Sequence, residues 1–267
     1  MKDLTPKLSK FENKGVHMSR YKASFLHLLI SLGIGLTTLV VMISIWYPGA
    51  LLKAAGGDGL ILILLGVDVT IGPLITLIIF DTKKKHLKYD LMVVAVLQLS
   101  ALTYGVSVVY QARPIYLIFV VDRFELVRAS DIDPDDMKEV TTSEFKSLPT
   151  GRPRIIGVNP PANSDEKLKA IDLALAGKDV HLIPKHYTAY GPSQQEQVKK
   201  RAQTIQRLKE INPQLQNEID HSVAQLGKKE DEIGYLPLKA NARDMSVIVD
   251  RNTGEILDYW MFLPWKA

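Results

Sequence analysis

The chain has 267 residues, a net charge of +4 at pH 7 and a mean hydropathy of +0.04, averages that combine two different halves. Residues 1–110 hold 11 Lys or Arg against 6 Asp or Glu, whereas residues 111–267 hold 22 against 23, so the basic excess lies with the apolar runs. This distribution argues against nucleic-acid binding, and the absence of cysteine excludes disulfides and thiolate metal sites.

Three apolar runs in the first half are each long enough to cross a membrane. They cover residues 25–46, 60–80 and 91–110, about 20 residues each, which matches a hydrocarbon core about 30 Å thick. The first run is longer than the apolar region of a signal peptide, so an uncleaved anchor is favoured over a cleaved leader, although Ala54-Ala55-Gly56 offers small residues downstream. We predict a cytoplasmic tail over residues 1–24, three transmembrane helices over 25–110 and a periplasmic domain over 111–267.

The positions of Lys and Arg predict the orientation of these helices. Six basic residues precede residue 25 and four lie between residues 81 and 90, whereas Lys53 alone lies between the first two spans. By the positive-inside rule, the N-terminus and the second loop face the cytoplasm. We expect the aromatic residues that flank the opposite ends to lie at the outer interface; they are Trp46, Tyr47, Tyr104, Tyr110 and Tyr116.

One carboxylate, that of Asp68, lies inside the second span. Burying it there costs at least about 2.5–3.5 kcal/mol on insertion scales, so it must be paired, protonated or functional. Four hydroxyls lie at the same depth, those of Thr37, Thr38, Thr103 and Tyr104, and we expect some of them to donate to it. A hydrogen-bonded staple or a docking point for another membrane helix is favoured over a proton relay, because His27 is about 15 Å away with no titratable group between.

Small residues in the spans predict close helix packing, within the chain or with a partner. Ser31 and Gly35 on the first span, like Ala101 and Gly105 on the third, are spaced four apart, which permits close approach of a neighbour. The candidates for partner binding or intramembrane packing are therefore Asp68, Gly66, Gly72, Pro73, Thr38 and Tyr104.

The second half predicts a soluble α+β domain with a mostly antiparallel sheet and a helical hairpin. Arg113-Pro114 ends the third span. Strands or hairpins are predicted over residues 115–128, 152–158, 235–238, 246–250 and 255–261, with a tight turn at Arg251-Asn252-Thr253-Gly254. Helices are predicted over residues 163–176, 193–211 and 214–226, the last two forming either a hairpin packed on the sheet or a partner-binding pair.

The domain carries no pattern typical of catalysis. His181, His186 and His221 do not have metal-ligand spacing. The acidic run between Asp131 and Asp136 lacks the glycine and glutamate of a calcium loop. We therefore predict that the protein is not an enzyme and uses no metal or cofactor.

Several motifs together resemble one known family. They are Trp46-Tyr47-Pro48-Gly49, Ala54-Ala55-Gly56-Gly57, the run from Gly66 to Pro73, Tyr104-Gly105, Gln111-Ala112-Arg113-Pro114-Ile115-Tyr116 and Val121-Asp122-Arg123-Phe124-Glu125. Over residues 18–127 the chain resembles the TfpX/TfpZ family of type IV pilin accessory proteins. The resemblance implies a protein of the bacterial inner membrane that assists type IV pilus biogenesis, with pilin or pilus-assembly membrane proteins as partners.

Two further functions remain open from the residues. One is a membrane-anchored periplasmic sensor or small-molecule-binding protein, although the cytoplasmic side offers no output domain. The other is a membrane enzyme or carrier, a hypothesis that depends on Asp68 alone.

Overall fold

The computed structural model describes residues 18–159 and 163–266, so most of the predicted tail over residues 1–24 lies outside the described residues. Three of its helices are long and apolar enough to cross a membrane, as the sequence predicts. They are α1 (Arg20–Val41), which continues as a π-helical turn at Met42–Trp46, α3 (Gly57–Ile79) and α4 (Leu87–Gln111); a short helix, α2 (Leu51–Ala54), lies between the first two. Helix α3 packs against both α1 and α4.

The domain after α4 is built on one mixed sheet, in which five of the seven strand pairings are antiparallel. The strands are β1 (Pro114–Val120), β2 (Arg123–Arg128), β3 (Arg154–Val158), β4 (Tyr187–Ala189), β5 (Gln203–Thr204), β6 (Ile233–Lys239), β7 (Met245–Asp250) and β8 (Ile256–Trp260). Their order is β4-β3-β1-β2-β6-β7-β8, and β5 pairs with β6. Together with the three long helices, this sheet confirms the predicted fold class.

Four helices accompany the sheet: α5 (Ser164–Leu175), α6 (Pro192–Arg201), α7 (Ile205–Ile211) and α8 (Gln216–Gln225). The prediction of one helix over residues 193–211 is wrong, because the chain leaves helical geometry after Arg201 and pairs with β6. Gly234 permits this approach, since a Cβ there would lie 2.8 Å from the Gln203 carbonyl oxygen. Thr204 then caps a new helix by accepting a hydrogen bond from the Arg207 N–H.

The apolar side chains of α7 and α8 pack on the sheet, which supports a structural role for this helical pair. Ile205, Leu208 and Ile219 are fully buried in one cluster with Tyr235 and Ile248 of the sheet. The face that the sequence offered to a partner is therefore already covered by the chain's own core.

A second buried cluster joins the ends of the long helices to the opposite face of the sheet. Tyr47, Leu51 and Ala54, which follow α1, belong to the same core as Leu117 and Leu236. The domain therefore rests directly on the helices that carry it and shares a core with them.

Candidate functional site

The contact between α3 and α4 depends on one row of side chains spaced four residues apart. Leu64, Asp68 and Gly72 form this row on α3. Leu64 fits against Gly105 of α4, where a Cβ would overlap the leucine, and Gly72 fits against Gln98 in the same way. The two helices are thus in close contact one turn before Asp68 and one turn after it along α3.

Asp68 lies between these two contacts, at the midpoint of α3. Eleven residues separate it from each end of the helix, about 16 Å at helical rise. The sequence placed the start of this span three residues later, so the carboxylate is deeper in the structure than predicted.

Three clefts converge on Asp68. One of about 460 Å³ follows the seam between α3 and α4 towards Lys84 and Asp90, and a second of about 280 Å³ follows the same seam towards Tyr104. A third, of about 200 Å³, opens between α1 and α4 and also contacts His27. The small side chain of Ala101 lines both clefts of the seam, which helps to explain why the helices leave space beside the carboxylate.

The Asp68 carboxylate has no hydrogen bond or ion pair within residues 18–159 and 163–266. The prediction that some of the neighbouring hydroxyls donate to it is therefore wrong: those of Thr37 and Thr103 donate instead to the carbonyl oxygens of Gly33 and Leu99, four residues back on their own helices. This local bond satisfies a helical hydroxyl without any partner helix. Among the other predicted donors, Thr38 is half-buried and Tyr104 is 73% exposed.

The remaining small-residue candidates divide into packed and free positions. Ser31 and Gly35 are buried on α1, and the Gly35 face contacts Leu65. Pro73 is also buried, and its carbonyl oxygen accepts a hydrogen bond from the Ser24 hydroxyl at 2.8 Å. Gly66 is exposed, and a Cβ at this position would have no atom within 4 Å; its carbonyl oxygen accepts a hydrogen bond from the Thr70 hydroxyl of the same helix at 2.6 Å.

The junction between the spans and the domain is tightly packed. The sequence indicated this region only through the motifs of the family resemblance. Tyr47 is fully buried, and its hydroxyl donates to the Val109 carbonyl oxygen at 2.9 Å. Burial raises its pKa to about 12, so the hydroxyl stays protonated as a donor. Tyr47 and Tyr116, which the sequence predicts at the outer interface, are both buried in the protein core, where their rings fill space between elements.

Polar contacts complete this junction. The Arg113 guanidinium lies over the Tyr110 ring and donates to the carbonyl oxygens of Tyr110 at 2.5 Å and Pro149 at 2.7 Å. The Ala54 carbonyl oxygen accepts from the N–H groups of Ala242 and Arg243 at 3.0 and 3.3 Å. These bonds tie α4 and the α1–α3 connection to loops of the domain.

A separate cleft of about 460 Å³ lies between α5 and the sheet. Its walls include Phe119, Val121 and Ile171. Helix α5 has no buried residue, and its apolar residues Leu168 and Ile171 are 61% and 55% exposed. Val121 adopts a left-handed backbone with φ of 53°, which costs a β-branched residue about 1–2 kcal/mol.

The histidines of the domain do not assemble a metal centre, and no group of metal-ligating side chains occurs in the parts of the chain that the structure describes. Burial lowers the pKa of His181, so its imidazole is neutral at pH 7. Nearby Glu125 is 4% exposed and accepts a hydrogen bond from Arg123 at 2.6 Å. The Nδ1 atom of His181 has no hydrogen bond among the described residues.

These features define a membrane protein with three long apolar helices, an open carboxylate site within them and a mixed-sheet domain on top. The chain is 28% identical to the fimbrial assembly protein of serogroup I of Dichelobacter nodosus over 244 residues, 90% of this chain and 94% of the relative, and equally similar to that of serogroup E1. It is 31% identical to the protein of serogroups C1 and C2 over 129 residues, 98% of that relative and 48% of this chain. The chain therefore belongs to the family of fimbrial assembly proteins.

No protein-family model matches the sequence, and no solved structure matches the fold. The role of the Asp68 site is therefore inferred from the geometry of this chain alone.

Proposed function

We propose that the protein is a non-enzymatic accessory factor of the bacterial inner membrane, of the TfpX/TfpZ kind, that binds or stabilises type IV pilin or its assembly machinery. The observation that carries this proposal is similarity to fimbrial assembly proteins over 90% of the chain, which includes both the spans and the domain. Similarity that covers both parts supports a function in which both take part.

The Asp68 site supports a contact within the membrane. A carboxylate at mid-depth is costly without a partner, and the clefts beside it leave room for groups of another helix. The unpartnered apolar face of α5 supports a second contact, in which the domain would hold or guide the soluble part of the same partner.

The orientation supports a partner on the outer side of the inner membrane. Lys83, Lys84, Lys85 and Lys88 all lie at the end of α3 and α4 opposite the domain. By the positive-inside rule, these lysines support a cytoplasmic position for this end and a periplasmic position for the domain.

The experiment is in-cell crosslinking of the full-length protein with a C-terminal tag, followed by mass spectrometry of the membrane fraction. We expect pilin or pilus-assembly proteins to be recovered with the wild-type chain and to be depleted with Asp68→Ala. Asp58→Ala is the matched control, because Asp58 lies on the same helix but in its exposed first turn. Normal piliation in cells that lack the protein, or recovery of none of these partners, would contradict the proposal.

The cleft beside α5 favours a second candidate function, a membrane-anchored periplasmic sensor or small-molecule-binding protein. Its volume falls within the range of ligand sites, and Asn159 and Gln197 add polar groups to its apolar walls. Ala170→Trp would fill the cleft. A small molecule that co-purifies with the wild-type protein and is lost with Ala170→Trp would favour this function; its absence, with partner recovery intact, would favour the accessory role.

A further inference from the structure

The carboxyl group of Asp68 has no partner among the described residues. The carboxylate faces three clefts and has no ion pair or hydrogen bond in the described chain, residues 18–159 and 163–266. Carboxylates inside a membrane are retained where a cation or a set of donors offsets the loss of water. The described chain therefore lacks the cation or hydrogen-bond donors that would stabilise an ionised carboxylate at this position.

The chain cannot close the site by a small shift of its own helices. Gly105 against Leu64 and Gly72 against Gln98 are already in close contact on the two sides of Asp68. Moving α4 towards the carboxylate would force these pairs to overlap, since packed interfaces resist continuous deformation. The Gln98 amide is itself directed to the Asp68 backbone carbonyl, at 3.4 Å.

Within residues 18–159 and 163–266 no cationic side chain pairs with Asp68, and His27, which lines the third cleft, is hydrogen-bonded instead to Thr76 at 2.6 Å. Asp68 is about 16 Å from either end of α3, whereas the ammonium groups of lipids lie at the membrane surface. Lys84 lines the same cleft but lies at its far end, where it pairs with Asp90 at 3.6 Å. Sixteen residues separate Lys84 from Asp68 along the chain, which places it beyond side-chain reach.

We propose that the Asp68 cleft binds a transmembrane helix of a partner protein that carries a positively charged amine or guanidinium near the middle of its span. This inference rests on the proposed accessory function and specifies the chemistry of its partner. The two charges offset each other's cost of burial, so each helix is stabilised by the other. Recognition by charge at a fixed depth also selects among membrane helices whose apolar surfaces are otherwise alike.

The test uses the full-length protein in phosphatidylcholine vesicles with synthetic leucine-rich helices of about 20 residues. One helix carries a central lysine, one a central glutamate and one only leucine. Because the chain has no cysteine, Lys266→Cys gives a single labelling site, and association is measured by energy transfer to a label on the helix. Each helix is tested against the wild-type protein, Asp68→Asn, Asp68→Glu and the control Asp58→Asn.

We expect the lysine helix to associate at least about tenfold more strongly than the other two. This preference should disappear with Asp68→Asn, which keeps the shape of the side chain but removes its charge, and should survive in Asp68→Glu and Asp58→Asn. Equal association of all three helices, or an unchanged preference with Asp68→Asn, would overturn the inference. The proposed function fails separately, through normal piliation in cells that lack the protein, so the two failures can be told apart.

Discussion

The domain end of α3 and α4 is packed very differently from the middle of these helices. At the domain end, Tyr47 is fully buried and its hydroxyl is bonded, and the Arg113 guanidinium bonds two carbonyl oxygens. Beside Asp68 the same helices leave clefts and an unpaired carboxylate. An intramembrane carboxylate that borders clefts and has no partner among the described residues is a candidate for a function outside the fold.

Replacing Tyr47 should give the largest loss of stability. Tyr47→Ala removes a fully buried ring from the core shared by spans and domain, and should lower the free energy of unfolding by about 3–5 kcal/mol. Tyr104→Ala is the matched control, because that ring is 73% exposed; its effect on unfolding should stay within about 0.5 kcal/mol. Thermal unfolding of the purified chain in detergent measures both, and equal losses would contradict the shared core.

Substitutions at two glycines of the spans test which helix faces pack against another helix of the chain. Gly105→Leu must displace Leu64 and should destabilise the α3–α4 contact by about 1–3 kcal/mol. Gly66→Leu adds a side chain where no atom lies within 4 Å, so the isolated protein should unfold as the wild type does. A loss of stability with Gly66→Leu and none with Gly105→Leu would contradict this description, in which the Gly105 face is packed and the Gly66 face is not.

Arg113 tests the polar half of the junction. Arg113→Lys keeps the charge but loses the planar fork that reaches two carbonyl oxygens, and should cost about 1–2 kcal/mol of unfolding free energy. Arg251→Lys is a matched control on an exposed turn, where we expect almost no change. The comparison uses the same unfolding assay, and identical midpoints for the two variants would show that the fork contributes nothing.

Asp250 predicts a smaller, pH-dependent effect within the domain. Its carboxylate accepts hydrogen bonds from Lys228 and from the N–H groups of Asn252 and Thr253, and these partners, Lys228 foremost, lower its pKa. A lowered pKa stabilises the folded state above the ordinary value of about 4, and this contribution is lost as the pH falls through the folded-state value. Unfolding measured from pH 7 to pH 3 should therefore be less pH-dependent in Asp250→Asn; an identical pH dependence would contradict this.

Much of the fold could be predicted from the sequence because its signals are local. The three spans follow from apolar length, α5 from its Asn163 cap, and the last hairpin from the turn after Asp250. The break between α6 and α7 could not be predicted, because it depends on pairing with the distant Gly234. The helix propensity of this segment is overridden by the pairing of β5 with β6.

The candidate site was only partly visible in the sequence. Asp68 stood out as a carboxylate in an apolar run, but the space beside it depends on how Ala101 and Gly105 meet α3, which periodicity does not show. The expected hydroxyl partners failed because Thr37 and Thr103 bond their own helices. The importance of Tyr47 and Ala54 was indicated by the family resemblance, while the contacts that explain it join residues far apart in the chain.

The most direct test of the account is whether a partner lies against the Asp68 cleft and nowhere else at that depth. Ala101→Cys introduces a single reactive site in the cleft, and Thr70→Cys introduces one at a similar depth on the exposed face of α3. With a photoactivatable maleimide in living cells, we predict crosslinks from residue 101 to pilin or a pilus-assembly protein, and few or none from residue 70. Equal crosslinking from both positions, or crosslinking from residue 70 alone, would contradict the account.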